Sequence, residues 1–392
     1  MVSLETAENA LKTVYLGVVA NQLNVGVNPL LAKIEQTTAD VWGSQIVKMV
    51  PYGLNGGVGA GAENAALPKS AGNQYGKFTL DLKNLYGTIE ITDKAIRASM
   101  HDEAAFVNLL NAEMDGLLKA SKHNLGRMLY GDGSGVLAHV VAGTYSGDTI
   151  TLDDVHDFTE GMCVSVYNAS SGNFYSGMGN ARIINVDRVN KTITFEKNMR
   201  PTYSEGDYVC MQSSHNNEIT GLKAIFAQSG TLYGLDKDKY SWLKPQVISD
   251  VGMITQGKMQ SAMDSVEERC GGAVDMIVCS YDVRRHYIDH CSMYRTNIDY
   301  LNLDNGYKAL SYNGVPVVAD KFVRDGVMYM LNTADFKLHQ LCDWRWIEGD
   351  SGKVLHQVAG WSRYTATLVK YADLICDRPA GQVMLTGITS GS

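Results

Sequence analysis

Five groupings of residues in this chain have types and spacings that could do chemistry. The run NGGVGAGAEN, residues 55–64, gathers four glycines, the material of a phosphate-cradling loop, yet no Lys-Ser/Thr follows and no helical pattern begins there. A flexible loop tip explains those glycines better. His286 and His290 stand four apart on an expected helix with Cys291 beside them, which would bring two or three soft metal ligands together. A fourth ligand and the glutamate of an HExxH arrangement are both missing, so no metal site is expected. Ser134 sits in GDGSG after a helix, whereas the strained nucleophile elbow GxSxG follows a strand. Trp344, Trp346, Trp361 and Tyr364 have the flat faces on which bases or sugars stack, but in β-rich segments such side chains usually fill the core or a seam between subunits. Asn168-Ala-Ser and Asn190-Lys-Thr match glycosylation sequons, which matter only for a secreted chain. The reading is of a protein with no catalytic residue, no cofactor and no metal.

The totals point the same way. A chain of 392 residues at 45% hydrophobic composition exceeds one compact core and calls for two or three packed units. Only 19% of residues are charged, against 39 glycines and 21 tyrosines. A surface so weakly polar suits contacts between subunits. The net charge of −8 removes the basic footprint that tight, sequence-reading contact with nucleic acid needs. No long apolar run occurs, and MVSLETAENALK lacks a basic flank before an apolar stretch, so neither a membrane span nor a secretory signal is expected. Seven cysteines without a CxxC pair argue for buried reduced thiols.

The elements follow from hydrophobic period. Residues 1–45 give a weak helical period and read as an extended arm with short helices. SQIVKMVPYGL reads as a strand, and NGGVGAGAENAALPKSAGNQYGK after it has little to bury. FTLDLKNLYGTIEIT then returns with period two. Residues 46–92 are therefore expected to form a long two-stranded flap, and a loop of that length must pack on something else, here another copy of the chain. Ser99 and Asp102 resemble a capping box, after which Phe106, Leu109, Leu110, Leu117, Leu118, Leu125, Met128 and Leu129 recur at helical spacing up to Tyr130. This spine helix would be roughly 40 Å long. From 137 to 215 the pattern changes to TITL, MCVSVYN, ARIINVD, KTITFEK and DYVCMQ, short strands at the spacing of a small barrel or sandwich. That segment reads as an inserted β domain. Ile248, Val251, Ile254, Met259, Met263 and Val266 then predict a helix up to Gly271 and Gly272. A strand DMIVC, a helix from Ser280 through Tyr287 and the strands VPVVA, VMYML, FKLHQL, KVLHQV and ATLVKYADLIC complete an α+β fold.

In this order of parts, and in LPKSAGNQYGKFTLDLKNLYGTIEITDKAIRAS, GLKAIFAQSGTLYGLDKDKYSWLKPQ and YNGVPVVADKFVRDGVMYMLNTADFKL, the chain resembles tailed-bacteriophage major capsid proteins of the Hong Kong 97-type fold over nearly its full length. The resemblance implies an N-terminal arm at 1–45 that reaches a neighbour and an extended loop at 46–92 lying over an adjacent subunit. It implies a spine helix at 99–132 within a peripheral-domain segment of 93–136. Residues 216–392 would hold the axial domain and the remainder of the peripheral domain, with 245–300 meeting its copies at the centres of hexamers and pentamers. The inserted β domain at 137–215 departs from the minimal plan of the family. Candidate contacts between subunits are Lys69, Tyr75, Phe78, Trp242, Trp344 and Trp346. Some shells of this type crosslink through Lys and Asn side chains, and Lys69 is the flap lysine at which that would occur.

The function so implied is self-assembly into the icosahedral virion shell around a double-stranded DNA genome, which is enclosed without sequence-specific binding. An acidic balance suits an inner wall that leaves such a genome free to move. Assembly would take place in the host bacterial cytoplasm, with scaffolding, portal and decoration proteins as partners and no membrane. Two other functions fit the residues. One is an encapsulin-type nanocompartment shell, which particle contents would distinguish; the other is a glycan-binding surface protein acting through 137–215, which binding by that segment would reveal.

Overall fold

The computed structural model describes Leu23 and residues 28–64, 66–94, 103–141, 147–175, 180–196, 203–293, 300–302, 308–349 and 352–390, with the backbone alone for 103–111, 300–302 and 308–309. In chain order the first half lays down α1 (Pro29–Lys33), β1 (Glu35–Thr37), β2 (Val41–Trp42), β3 (Gln45–Tyr52), β4 (Gln74–Asp81), β5 (Lys83–Thr92) and α2 (Glu103–Met128). There follow β6 (Val136–His139), β7 (Thr149–Thr151), β8 (Cys163–Tyr167), β9 (Ala181–Asp187), β10 (Thr192–Phe195) and β11 (Tyr208–Met211). The second half holds α3 (Leu222–Phe226), β12 (Thr231–Leu232), β13 (Leu235–Asp236), β14 (Gln246–Ile248), α4 (Gln256–Cys270), β15 (Met276–Cys279) and α5 (Tyr281–Met293). It ends with β16 (Tyr300–Asn302), β17 (Lys308–Tyr312), β18 (Val315–Ala319), β19 (Met328–Leu331), β20 (Phe336–Trp346), β21 (His356–Gln357), β22 (Arg363–Cys376) and β23 (Val383–Leu385).

The longest strand, β22, organises the first sheet. One edge takes all ten residues of β5, from Arg363↔Thr92 to Ala372↔Lys83. The other takes β20, whose far edge pairs in parallel with β1. β5 can serve here because Leu85, Ile89 and Ile91 alternate with exposed positions, so one face is apolar throughout. Across this sheet runs α2, 26 residues and about 39 Å long, burying Met114, Leu118, Leu125 and Met128 as a stripe. The helix approaches so closely that two glycines are required. A Cβ on Gly87 would lie 2.9 Å from Leu117 Cδ1, and one on Gly126 would lie 2.3 Å from the Phe322 ring. The long helix is thus where the period placed it; Ser99 and Asp102, its expected cap, lie outside the described residues.

The N-terminal segment differs from expectation. Residues 28–45 are no projecting arm: Asn28 caps α1 by accepting from Leu31 N–H at 2.7 Å, Leu30 and Leu31 are buried, and β1 is a strand of the first sheet. The apolar side chains of a short helix and the open edge of β20 satisfy each other, which outweighs the weak helical period. Residues 1–22 and 24–27 lie outside the described residues. The flap also ends sooner than expected, since β5 belongs to the sheet and the projecting hairpin is β3 with β4.

Residues 136–211 form a six-stranded sheet in the order β6-β11-β8-β9-β10-β7. Its buried apolar side chains, Phe158, Val164, Val166, Ile193 and Val209 among them, make a cluster of their own. Arg324 ties it to the rest by bridging Asp154 and Asp157, and in the segment that follows the sheet Glu218 accepts from Arg127 near the end of α2, with both members buried. A seven-stranded sheet, β14-β23-β19-β15-β18-β17-β16, carries the third cluster, with α4 and α5 contributing Met259, Val266, Val283 and Tyr287 to it. α4 starts later than the spacing predicts. Asp250 and Gly252 adopt φ of 53° and 63°, turning the chain so that Val251 and Ile254 precede the helix, and Thr255 Oγ1 caps it by accepting from Lys258 N–H. It ends as expected at Gly271, in the left-handed region.

Two predictions follow from this packing. Gly116 and Gly126 share α2, but only Gly126 faces a ring; a Cβ on Gly116 meets nothing within 4 Å. Gly116→Ala should stabilise by about 1 kcal/mol, while Gly126→Ala should destabilise by about 1–3 kcal/mol, read by denaturant unfolding. The second concerns Asp373, fully buried in β22, whose carboxylate accepts from Thr220 N–H, Thr220 Oγ1 and Leu374 N–H. Burial outweighs these bonds and pushes its carboxyl up to about 6. The folded state therefore holds the proton more tightly than the unfolded one, so this group's stabilisation is full below about pH 4 and is lost as pH rises through about 6. Asp373→Asn keeps an acceptor for both N–H groups and should remove that loss, so that melts between about pH 4 and 7 show the wild type falling relative to the variant by on the order of 1–3 kcal/mol.

Candidate functional site

The groupings that suggested chemistry do not assemble. Among the described residues no cluster of three or more His, Cys, Asp or Glu is arranged to hold a metal ion, and no helix is long and apolar enough to cross a membrane. His286, His290 and Cys291 ride on α5, with Cys291 in the core behind it. Ser134 spends its hydroxyl on a turn, donating to Asp132 Oδ1 and accepting from Val136 N–H at 3.2 Å. A cleft of about 480 Å³ opens between β5, α2 and the 211–217 segment. Asn84, Ser121, Asn124, Gln212 and Asn217 line it, with no carboxylate, imidazole, thiol or amine. It thus offers no ordinary general base.

What the chain does present is the β3–β4 hairpin. The eight residues of each strand pair from Gln45↔Asp81 to Tyr52↔Gln74, which by alternation sets Ile46, Val50, Gly76 and Phe78 on one face and Met49, Pro51 and Tyr75 on the other. The first face is fixed to its own chain. Trp242 stacks on Tyr52 at 4.9 Å and 7° and lies 5.8 Å from Phe78, while Tyr233 approaches Phe78 to 4.9 Å. Gly76 makes this possible, because a Cβ there would meet the indole at 2.7 Å. Thr79 N–H donates to Tyr233 O, and Lys48 pairs with Asp377 at 2.8 Å. The second face meets water.

Beyond the strands the chain leaves its own surface altogether. From Gly53 to Tyr75 every described residue except Gly57 is exposed, and the tip holds Leu54 at 93%, Val58 at 88% and Leu67 at 88% exposure. Trp42, in β2 beside β3, is 73% exposed. The hairpin sheet stops at β2, β3 and β4, and β2 pairs only with Gln45 and Ile46. The outer edge of β3 from Lys48 to Tyr52 therefore has no strand beside it among the described residues.

The six residues proposed as contacts between subunits fall into three groups. Lys69 and Tyr75 are exposed on the hairpin. Phe78, Trp344 and Trp346, at 0%, 5% and 3% exposure, are enclosed by their own chain, which corrects the expectation for all three. Trp242 is half-buried as the anchor of the hairpin base. Trp361 does not join Trp344 and Trp346 but lies on the surface under Arg363. Sequence reasoning missed a different set of rings, His139, Tyr167, Phe174 and Tyr208, aligned across the six-stranded sheet. The signal was present in MCVSVYN and DYVCMQ, where period two puts each tyrosine opposite the apolar face.

Comparison with known proteins gives structural relatives only. No family model matches the sequence, and no curated protein matches it. Among solved structures, the capsid of cyanophage A-1(L) superposes with a TM-score of 0.58 at 13% identity, over 93% of this chain and 94% of that one. The encapsulin of Synechococcus elongatus gives 0.47 at 8% identity over 93% and 91%. The procapsid of satellite phage P4 gives 0.46 at 10% identity over 96% and 99%. With the long helix, the hairpin and the sheets arranged as described, and on the superposition with the cyanophage capsid, the chain has the fold of a tailed-phage major capsid protein.

Proposed function

We propose that this chain is a shell subunit, whose activity is to assemble with copies of itself into the icosahedral capsid of a tailed phage around double-stranded DNA. One observation carries the reading: the β3–β4 hairpin is held firmly at its base and presents Met49, Pro51 and Tyr75 on its outer face, an open strand edge and three almost fully exposed aliphatic side chains at its tip. Such a surface is an aggregation liability in a monomer. It becomes an asset where a sister molecule covers it, since each aliphatic side chain buried contributes about 1.5–3 kcal/mol. Repeated contacts of this kind in hexamers and pentamers sum to a closed shell.

The finer assignments belong to the same reading. Residues 45–81 are the extended loop and α2 is the spine; 136–211 are an inserted β domain, supported by a separate core. The seven-stranded sheet and its helices are the axial domain. Scaffolding, portal and decoration proteins, assembly in the host cytoplasm and a virion location follow from the role of shell subunit. With a net charge of −8, the wall would hold packaged DNA without gripping it. What the particles enclose, genome or cargo enzyme, separates this reading from a nanocompartment.

The test is electron microscopy of purified protein beside the variant Leu54→Ser/Leu67→Ser. Wild type should form closed particles. The variant, altered only at positions clear of its own core, should melt like wild type yet yield at least about tenfold fewer particles, in line with the burial lost per contact. Unchanged particle yield would remove the hairpin from assembly.

A further inference from the structure

The six-stranded sheet turns Val164, Val166 and Val209 into its core and a row of rings outward. Tyr208 stands directly opposite His139 on one side and Tyr167 on the other, and Tyr167 is bridged to Phe174. Successive ring centroids are 6.2, 5.4 and 6.2 Å apart, with the two tyrosines parallel. His215 packs against both, 4.5 Å from Tyr167 and 5.4 Å from Tyr208. Its Nε2 lies within hydrogen-bonding distance of Tyr208 OH at 3.2 Å and Asn216 Nδ2 at 3.3 Å. Ser213 and Asn216, on either side of it in the chain, both hold φ of 59°, an uncommon backbone for these residues. The row is open to solvent: Phe174 is 55% exposed, His139 is exposed and the rest are half-buried. The shell reading uses none of these residues.

We infer that this row is a binding platform for a neutral glycan. Four rings stand in register across three strands and a bridged segment, Tyr167 and Tyr208 parallel and His139 and Phe174 turned 62° and 75° from their neighbours, so that the row offers both ring faces and ring edges. Between them stand hydroxyls, an imidazole and an amide; Tyr208, His215 and Asn216 bond to one another, and their remaining donor and acceptor capacity is open to a polar ligand. A saccharide answers both demands, with C–H faces for the rings and hydroxyls for the polar atoms. Charge decides against nucleic acid, the other ligand that stacks on aromatic rows, because its phosphates need cations along the track. Here Lys83, at the margin, already donates to Asn216 O. Arg182 lies opposite Cys163, four residues along β8 from Tyr167 and so about 13 Å away. Of the carboxylates beside it, Asp153 accepts from His139 N–H at 2.8 Å, and Asp207 is taken up by Ala169 N–H, Ser204 N–H and Tyr175 OH. A row without a lysine, arginine or carboxylate of its own, on a chain of net charge −8, suits an uncharged ligand.

The experiment is titration of the full chain with maltohexaose, cellohexaose, chitohexaose and a short oligothymidylate, followed by calorimetry and tyrosine fluorescence. At least one saccharide should bind. Phe174→Ala, at one end of the row, and His139→Ala, at the other, should each weaken it by about threefold to tenfold. Val189→Ala, exposed in the turn after β9, should leave it unchanged. Two ring variants at separate sites keep the test alive should one of them melt early. Failure of all three saccharides at millimolar concentration, binding of oligothymidylate in their place, or loss of self-association instead of sugar binding in Phe174→Ala would each overturn the assignment.

Discussion

The pairing of β5 with β22 is the constraint on which the rest depends. Ten consecutive residue pairs lock the segment after the hairpin into the middle of the molecule, and only Leu82 separates β4 from β5. The hairpin base therefore has no freedom to swing. Gly87 in the same strand lets α2 lie close on the sheet, and the opposite edge of β22 takes β20 and, through it, β1. Lys370 and Asp373 are buried within this strand, Lys370 donating to Gln36 at 2.8 Å and to Asp343 at 2.9 Å. Register is thus specified by polar partners as well as by the apolar alternation.

Anchorage of this kind turns the hairpin into a lever with a fixed base and an unsatisfied end. Tyr52, Phe78 and Trp242 fasten it, while Leu54, Val58 and Leu67 stand clear of every side chain that could shield them. Two outward surfaces differ in kind: an aliphatic hairpin suited to a sister molecule, and a polar aromatic row on a sheet with a separate core. Ion pairs tie the sheet to the body, Arg324 reaching both Asp154 and Asp157. Such ties orient the sheet without merging the two cores.

Local pattern was a sound guide wherever the partner was near in sequence. The stripe of α2 and the period-two runs of β7 to β11 could be placed to within a few residues, because each side chain's fate depends on its own element. Pairing between β5 and β22 spans most of the chain, and nothing in LYGTIEIT says whether its apolar face meets a sister molecule or a strand hundreds of residues later. That is why the flap seemed to run on to residue 92, and why 28–45 seemed an arm. Ile248 to Ile254 failed for another reason: left-handed backbone at Asp250 and Gly252 breaks a spacing that is helical only on paper. Of the candidate site, the Gly-rich tip was legible from composition. Trp344 and Trp346 were misassigned because an aromatic side chain in a strand is equally at home in a core and in a seam.

The central claim is that the hairpin finds its partners on other copies of the chain. Amide hydrogen exchange over residues 45–81, compared between assembled particles and dissociated subunits, tests it most directly. Amides on the outer edge of β3 and in the tip should be protected in particles and exchange fast in free subunits, with those of β5 slow in both. Equal protection of the tip in the two states would contradict the account.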